Sequence, residues 1–248
     1  MKYKLVISIV SHNQMEMVNA LIKDFEKLNL ENFIILVRSN TFEDFPLIDT
    51  ELNIEHIRNK LIKGFAKNHN TNYQLYKSDY FAVINPDLRI SDPDIFETFI
   101  NHAYQTEQKY ILCPAVKAPN GSFEDTVRNF PTVTHILKKL LFGEKNAYQV
   151  QTFSDPTLVD WAGGMFHFFP SKIYDNLGGY DEKYFLYYED VDICFRAKRK
   201  SIKTYILPYV TVFHDAQRKS HRDLKYLSIH CKSLFRFWKK FYFRRFMK

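Results

Sequence analysis

Short apolar runs alternate with amphipathic segments along the first half of the chain. Residues 5–10 (LVISIV) form a β-rich apolar run that predicts a strand. The next segment, residues 14–28, predicts a helix because its apolar residues recur at helical spacing, at Met17, Leu21, Phe25 and Leu28. A strand therefore feeds directly into a helix near the start of the chain.

The same alternation continues as far as residue 113. The pattern predicts further strands at residues 33–37, 54–57, 80–84 and 110–113, and helices at about residues 65–76 and 95–105. Strands that alternate with helices are typical of an α/β domain with a mostly parallel sheet. We therefore predict a mostly parallel central sheet that is flanked by helices.

The second half of the chain is less regular. Its pattern predicts strands at residues 158–161, 165–169 and 210–213, and a short helix from Ser171 to Gly178. A last helix is predicted by apolar residues at helical spacing, namely Leu227, Cys231, Leu234, Phe235, Trp238, Phe241 and Tyr242. We therefore divide the chain into an α/β domain, residues 1–215, and a basic, aromatic-rich helical tail, residues 216–248.

Composition and charge narrow the class of protein. The chain has 248 residues, of which 46% are hydrophobic, enough for a sizeable core. Its net charge of +7 is unevenly distributed, because residues 216–248 carry 11 basic residues and one acidic residue. The three cysteines form no CxxC pair or zinc-ligand pattern. No apolar run is long enough to cross a bilayer and no signal-peptide pattern is present, so we expect a cytoplasmic protein.

Polar residues follow three of the predicted strands. In open α/β sheets, ligands bind at the carboxyl ends of the strands. The residues at these ends are Ser11, Asn13, Arg38, Asn85 and Asp87. Each segment alone also fits an ordinary turn, and Asn85-Pro86-Asp87 is a common turn sequence. Their joint position favours one shared crevice.

An aromatic run, residues 184–188, precedes three carboxylates at the predicted start of a helix. Acidic residues in a first helical turn can simply be stabilised by the helix dipole, and Asp192 is also spaced to pair with Arg196. Glu189 and Asp190 directly follow the aromatic residues, where a carboxylate can act as a general base for a hydroxyl or hold that hydroxyl in place.

His214 ends a predicted strand. A lone histidine is often structural, but with Asp87 it could complete a divalent metal site whose other ligands are phosphate oxygens and water.

Several motifs in one order resemble the family 2 glycosyltransferases of the inverting GT-A type, especially the bacterial rhamnosyltransferase-like branch. The similar segments are VISIVSHN (6–13), GFAKNHN (64–70), INPD (84–87), RNFPT (128–132), VDWAGG (159–164), GGYDE (178–182), FLYYEDVD (185–192) and His214. The resemblance covers about 200 residues.

The resemblance implies a role for each candidate residue. Asn85 and Asp87 stand where the family has its DxD motif, so Asp87 and His214 would bind Mg²⁺ or Mn²⁺ at the donor diphosphate. Asp190 would be the catalytic base. Ser11, Asn13 and Arg38 would lie on the donor side, and the acceptor side would be formed by Trp161, Gly163, Gly164 and Glu189.

Three departures from the family pattern concern the donor side. Arg38 stands where the family usually has an acidic residue after the second strand, and Asn85 replaces the first acid of the DxD motif. Ile62 stands where the family often has an asparagine, two residues before the Gly-Phe pair, and Asn59 could partly substitute for it. These changes leave the nucleotide open and predict a metal site with few protein ligands. They also keep an alternative open, a non-catalytic protein of this fold that binds nucleotide or glycan. A nucleotidyltransferase is disfavoured because residues 11–15 lack a glycine- and arginine-rich phosphate loop.

The resemblance and the tail together define the expected partners. These are a nucleotide-diphospho-sugar donor, with rhamnose as the expected sugar, and a glycan or lipid-linked oligosaccharide acceptor. The basic amphipathic tail is suited to an anionic membrane surface, at the inner face of the cell membrane. It is equally suited to packing its aromatic face on the catalytic domain. No recognised nucleic-acid-binding module accompanies the basic residues, so we expect no nucleic-acid partner.

Overall fold

Eleven strands and six helices lie within the described residues. The computed structural model describes residues 2–107, 109–132, 134, 141, 147–214 and 224–242, so the ends of the predicted tail, residues 216–223 and 243–248, lie outside them. The strands are β1 (Lys2–Ser11), β2 (Phe33–Ser39), β3 (Ile54–Arg58), β4 (Lys77–Ile84), β5 (Leu88–Arg89), β6 (Tyr110–Lys117), β7 (Val127–Arg128), β8 (Thr157–Val159), β9 (Trp161–Ala162), β10 (Phe166–Pro170) and β11 (Lys203–His214). The helices are α1 (Met15–Phe25), α2 (Phe65–Tyr73), α3 (Ile95–Gln105), α4 (Ser171–Leu177), α5 (Glu189–Arg199) and α6 (Leu224–Phe241).

The main sheet has the order β3-β2-β1-β4-β10-β6-β11-β5, and β8 pairs with β11. Strands β3, β2, β1 and β4 are parallel, and β6 is parallel to β11. Strand β10 runs antiparallel between β4 and β6. A separate pair, β7 with β9, lies outside this sheet. The predicted fold class, a mostly parallel α/β sheet, is confirmed.

The parallel register brings the polar strand ends together. Ile9 of β1 is level with Val37 of β2 and with Ile84 of β4. All three strands therefore end at the same edge of the sheet, where Ser11 and Asn85 follow their last apolar residues.

Several strands are longer than the sequence pattern predicts. Strand β11 begins at Lys203 rather than at residue 210, and β6 continues to Lys117. These two strands pair with each other from Lys203 with Tyr110 onward. Backbone hydrogen bonds to the neighbouring strand hold the added residues in the sheet. The hydrophobic pattern of one strand gives no information about such pairing. The two-residue strands β5 and β7 have no pattern long enough to be predicted.

Helices cover both faces of the sheet. On one face, α1 and α3 pack side chains such as Leu21 and Phe99 against Ile7 of β1. On the other face, α2, α4, α5 and α6 contribute to a second cluster that includes Val6 and Phe237. Neighbouring residues of β1 thus point to opposite faces, as the pleat of a strand requires. No described helix is both long and apolar enough to span a membrane.

Helix α6 packs on the α/β domain through one of its faces. The Phe237 side chain is fully buried among the aromatic rings of Tyr188, Phe195 and Phe241. The Lys240 ammonium group binds the carboxylates of Asp181 and Asp192 at 2.8 and 2.5 Å.

Two further hydrogen bonds join α6 to loops of the domain. The indole N–H of Trp238 donates to the carbonyl of Pro131 at 2.9 Å, and the Ser233 hydroxyl donates to the carbonyl of Leu186 at 2.9 Å. The opposite face of the helix, which includes Phe235, is exposed. Half of the tail helix is thus part of the folded core.

We predict that Phe237→Ala lowers the free energy of unfolding by about 3–5 kcal/mol, because it leaves a cavity between α6 and the domain. The matched control is Phe235→Ala on the same helix, where 61% of the side chain is exposed and the expected change is within about 0.5 kcal/mol. Urea denaturation of both variants measures the difference. Equal losses in the two variants would contradict the packing of this helix.

Candidate active site

A tight turn after β4 presents Asp87. The N–H of Asn85 donates to the carbonyl of Met165 at 2.8 Å, and the N–H of Leu88 donates to the carbonyl of Asn85 at 3.3 Å. One carboxylate oxygen of Asp87, Oδ2, lies 3.2 Å from Nε2 of His214. The other oxygen, Oδ1, is buried and has no hydrogen-bond partner among the described residues. The turn therefore holds a carboxylate with one unused oxygen.

His214 is fixed between two carboxylates. Its Nδ1 lies 2.8 Å from Oε2 of Glu124, on the side of the ring away from Asp87. The hydrogen bond with Asp87, followed by that with Glu124, raises the pKa of His214 to about 9 against the effect of burial. A carboxylate on the far nitrogen of a ligand histidine is typical of metal sites, because it orients the ring.

Asp87 and His214 together fit a divalent cation. Asp87 offers a buried oxygen without a partner among the described residues. Nε2 of His214 binds the other Asp87 oxygen in this structure and could bind a cation once the ring loses its proton. Among the described residues, we find no group of three or more His, Cys, Asp or Glu side chains that could hold a metal ion. A cation here would thus need further ligands from a diphosphate and water.

A strained turn precedes the two candidate carboxylates. Tyr187 and Tyr188 both have φ of +69°, a left-handed conformation that is unusual for bulky residues and costs about 1–3 kcal/mol each. Helix α5 begins directly after them, at Glu189. The turn thus determines where the side chains of Glu189 and Asp190 lie.

Asp190 is held by backbone donors on both of its oxygens. The N–H of Gly164 donates to Oδ2 at 3.0 Å, and the N–H of Val191 donates to Oδ1 at 2.8 Å. Gly164 leaves room for this approach, since a Cβ there would lie 3.4 Å from Cβ of Asp190. The carboxylate therefore has a defined position at the start of α5.

Two consecutive residues join the Asp190 region to the Asp87 turn. Gly164 donates to Asp190, and the carbonyl of Met165 accepts from Asn85. The Gly163 N–H binds the carbonyl of Thr126 at 2.8 Å, which fixes the same segment from its other side. Gly164 and Met165 thus connect the candidate base with the turn that carries the candidate metal ligand.

Burial raises the pKa of both carboxylates. For Asp190 the effect of burial is opposed by the N–H groups of Val191 and Gly164 and by the charge of Arg128. For Glu189, burial and the neighbouring charge of Asp190 raise the pKa well above its usual value. Oε2 of Glu189 is buried without a hydrogen-bond partner among the described residues. Two carboxylates with different proton affinities therefore lie side by side.

Ser11 and Asn13 shape the loop after β1. The buried Ser11 hydroxyl accepts the N–H of Gln14 at 3.0 Å, at the start of α1. Asn13 has φ of +58° and donates through Nδ2 to Asp44 at 3.0 Å. The structure thus places Ser11 inside the loop and Asn13 on its exposed side, where it bridges to the loop after β2.

Arg38 lies in a buried network of amide side chains. Its guanidinium donates to Oδ1 of Asn72 at 2.7 Å and to Oδ1 of Asn59 at 3.1 Å. Burial lowers the pKa of this group, and no carboxylate forms an ion pair with it within the described chain. The side chain is only 4% exposed, and these hydrogen bonds link the end of β2 to α2 and to the residue after β3.

Trp161 and Arg128 lie opposite each other in the β7–β9 pair. The Trp161 indole N–H donates to the carbonyl of Asn129 at 2.9 Å, and the Arg128 guanidinium lies over the indole ring at 5.9 Å from its centroid. Burial raises the pKa of Asp190 and of Tyr188, and the charge of Arg128 opposes part of that rise.

No role was predicted from the sequence for Arg128 or Glu124. Arg128 is the first residue of the motif RNFPT, and its place in that motif could have marked it as a candidate site residue. Glu124 follows an ordinary turn, so nothing in the linear sequence connects it with His214, 90 residues later.

A cavity of about 580 Å³ opens at the other end of the sheet, beside Lys2 and Lys77, where β1 and β4 begin. None of the predicted site residues lines it. The candidate active site is therefore at the carboxyl end of the strands and does not include this cavity.

Comparison with known families now identifies the class of this protein. The family described as "Glycosyltransferase like family 2" matches residues 38–236. The chain therefore belongs to this family and is a glycosyltransferase.

Relatives with a named activity are similar over much of the chain. The rhamnosyltransferase WbbL of Escherichia coli is 26% identical over 93% of this chain and 91% of its own length. The N-acetylglucosaminyl-diphospho-decaprenol L-rhamnosyltransferase of Mycobacterium tuberculosis is 25% identical over 64% of this chain and 54% of its own length. The protein is thus rhamnosyltransferase-like in sequence.

Solved structures agree on the fold. The mannosyltransferase PcManGT of Pyrobaculum calidifontis, in complex with GDP-Man and Mn²⁺, has a TM-score of 0.62 at 10% identity, covering 89% of this chain and 59% of that chain. Residues 1–349 of TarS from S. aureus have a TM-score of 0.56 at 14% identity, covering 85% of this chain and 60% of that chain. The fold is that of the GT-A glycosyltransferases.

We predict that Gly64→Ala destabilises the strained turn. A Cβ at Gly64 would lie 2.6 Å from the carbonyl oxygen and 2.8 Å from the Cα of Phe185, so the backbone of the turn must move, at a cost of about 1–3 kcal/mol. Gly163→Ala is the control, because its Cβ would meet only the Thr126 carbonyl oxygen at 3.6 Å. Urea denaturation compares them. If Gly64→Ala is as stable as wild type, the close approach of these two segments is wrong.

Proposed function

We propose that this protein transfers a sugar, expected to be rhamnose, from a nucleoside diphosphate to a hydroxyl of a lipid-linked surface glycan, by direct displacement with inversion. The observation that carries the proposal is the position of Asp190. It is a partly buried carboxylate, held through Gly164 and Met165 next to the turn that presents Asp87. A base and a candidate diphosphate site thus lie on neighbouring segments, as a single displacement requires.

Asp190 would accept the proton of the acceptor hydroxyl. The acceptor oxygen would bond to the anomeric carbon while the bond from that carbon to the diphosphate oxygen breaks, so the electron pair leaves with the nucleoside diphosphate. Burial raises the pKa of Asp190, which makes the carboxylate a stronger base. One base without a carboxylate nucleophile fits attack from the opposite face of the sugar, and therefore inversion.

Glu189 would bind the acceptor. Burial beside the charge of Asp190 favours its protonated form, and Oε2 has no partner among the described residues. A protonated carboxyl can donate a hydrogen bond to an acceptor oxygen. Glu189 is therefore proposed to orient the acceptor while Asp190 takes its proton.

Asp87 and His214 would hold Mg²⁺ or Mn²⁺. The partnerless oxygen of Asp87 and, after loss of its proton, Nε2 of His214 fit such an ion. PcManGT, which has a similar fold, was crystallised with GDP-Man and Mn²⁺. When bound, the cation would stabilise the negative charge that develops on the leaving diphosphate.

The sugar and the acceptor are proposed from the relatives. Both WbbL and the mycobacterial relative are named rhamnosyltransferases, and the name of the second describes a diphospho-decaprenol acceptor. Transfer of rhamnose to a lipid-linked diphosphate glycan at the inner face of the cell membrane is therefore the proposed reaction.

The exposed face of α6 supports a position at the membrane. It carries the apolar Leu227 and Phe235, which are 59% and 61% exposed. Lys232 and Lys239 are exposed on the same side of the helix as Phe235 and form no ion pair with any described residue. Apolar and basic residues on one exposed helix face suit an anionic membrane surface.

We predict that Asp190→Asn lowers the transfer rate by about 10²–10⁴-fold, because the amide cannot accept the proton. Donor binding should be retained, since the amide oxygen can still accept the Gly164 N–H. Transfer to a lipid-linked glycan acceptor is measured with radiolabelled rhamnose on the nucleotide that raises the melting temperature, and donor binding is measured by thermal shift. Asp175→Asn, at an exposed position on α4, is the control. Wild-type transfer rates in Asp190→Asn would exclude this residue as the base.

We predict that one nucleotide among UDP, dTDP, GDP and CMP raises the melting temperature only with Mn²⁺ or Mg²⁺, and that Asp87→Ala abolishes this rise. The reason is that Asp87 supplies a protein oxygen to the metal-diphosphate complex. Thermal-shift measurements with each metal and with EDTA test it, and Asp190→Asn is the control that should still respond. An undiminished, metal-dependent shift in Asp87→Ala would contradict the assignment of the metal site.

A further inference from the structure

The loop between β3 and α2 exposes two large aliphatic side chains. Leu61 is 77% exposed and Ile62 is 55% exposed. The side chain of Asn40 accepts the N–H of Lys63 at 2.8 Å and donates to its carbonyl at 2.9 Å. Asn59, at the start of the loop, donates to both Asn40 and Asn68. The loop is thus anchored at both ends, and its fixed backbone presents the aliphatic tip to solvent.

Basic residues surround this aliphatic tip. Arg58, Lys60 and Lys63 lie within residues 58–63, and this segment contains no acidic residue. None of these three side chains forms an ion pair with another described residue. An exposed aliphatic tip with unpaired cations beside it is complementary to an anionic bilayer surface, where the cations meet phosphate groups and the tip meets the acyl boundary.

The loop is continuous with other exposed apolar residues near the active site. Its last residue leads into Gly64, which packs on the backbone of Phe185, a side chain that is 49% exposed. The next residue after Phe185, Leu186, accepts the hydrogen bond from Ser233 of α6. The rings of Tyr187 and Tyr188 then contact His230 at 5.5 and 5.2 Å between centroids. A connected path therefore leads from the loop, along the strained turn, to helix α6.

We propose that residues 58–63 are a membrane-binding loop that contacts anionic lipid together with the exposed face of α6. Two contacts on one rigid domain bind a bilayer more tightly than either alone, because the second forms at high effective concentration. They also flank the turn that carries Glu189 and Asp190, which brings the acceptor side of the site to the bilayer. That last consequence rests on the proposed lipid-linked acceptor, whereas the lipid contact itself does not.

Co-sedimentation with vesicles tests the loop. The variant Leu61→Asp/Ile62→Asp is compared with wild type on vesicles of phosphatidylcholine with phosphatidylglycerol and on vesicles of phosphatidylcholine alone. Leu227→Asp/Phe235→Asp tests helix α6 in the same assay. The control is Leu75→Asp, which makes the same kind of change at a side chain that is 43% exposed after α2. Thermal melting establishes that each variant is folded.

We expect the loop variant to lose about tenfold or more in affinity for the phosphatidylglycerol vesicles. The reason is that the variant lacks the two apolar side chains whose transfer from water into the bilayer favours binding. The control should bind as wild type, and wild type should bind phosphatidylcholine vesicles weakly. Wild-type binding by the folded loop variant would overturn the proposal, as would equal binding of wild type to both kinds of vesicle.

Two other outcomes would show that the loop contacts something other than a membrane, either the donor or a second copy of the chain. If the loop variant keeps its affinity for vesicles but loses the nucleotide-induced thermal shift, the loop belongs to the donor site and the proposal is wrong. If wild type is a dimer by light scattering and the loop variant is a monomer with unchanged vesicle binding, the loop contacts a second copy and the proposal is wrong. Vesicle binding is measured without donor or acceptor, so absence of transfer would refute the proposed reaction and leave this result intact.

Discussion

The strained turn at Tyr187 and Tyr188 is the constraint on which the rest of the site depends. Left-handed φ values at two bulky residues are costly, so the surrounding structure must hold them. Gly64 packs against the backbone on one side, and Ser233 binds the Leu186 carbonyl on the other. Because the chain leaves this turn directly into α5, Asp190 reaches the backbone N–H of Gly164 and lies next to the segment that contacts the Asp87 turn.

Helix α6 is consequently part of the active-site framework. Its Lys240 meets Asp192, a fully buried carboxylate in the first turn of α5 that also binds Arg196 at 2.6 Å. Buried charges are costly unless they are paired, so the two cations offset the burial of Asp192 and join the two helices. The same helix leaves its other face exposed, so one element both supports the turn before α5 and presents Phe235 to solvent.

Different parts of the site were predictable to different degrees. Asp87 and Asp190 could be proposed because each follows a recognisable local pattern, a polar strand end or a run of aromatic residues before a helix. Arg38 satisfied the same strand-end pattern, yet its guanidinium is buried between Asn72 and Asn59. A polar residue at the end of a strand can point into the crevice or towards a helix that covers the sheet. The sequence pattern alone does not distinguish these two directions. Glu124 had no pattern because its contact with His214 is made only by the fold.

The sequence by itself determined the alternation of strands and helices, the mostly parallel sheet and the family, because these depend on periodicity and on local motifs. The tertiary structure decided the length of β11, whose residues are held by pairing with β6 and β8. It also decided how the tail divides between packing and exposure. The amphipathic pattern allowed either a buried aromatic face or a membrane-facing one, and the choice depends on which side chains find partners in the domain. Phe237 finds a fully buried position among aromatic rings, whereas Phe235, two residues earlier, points away from the domain into solvent.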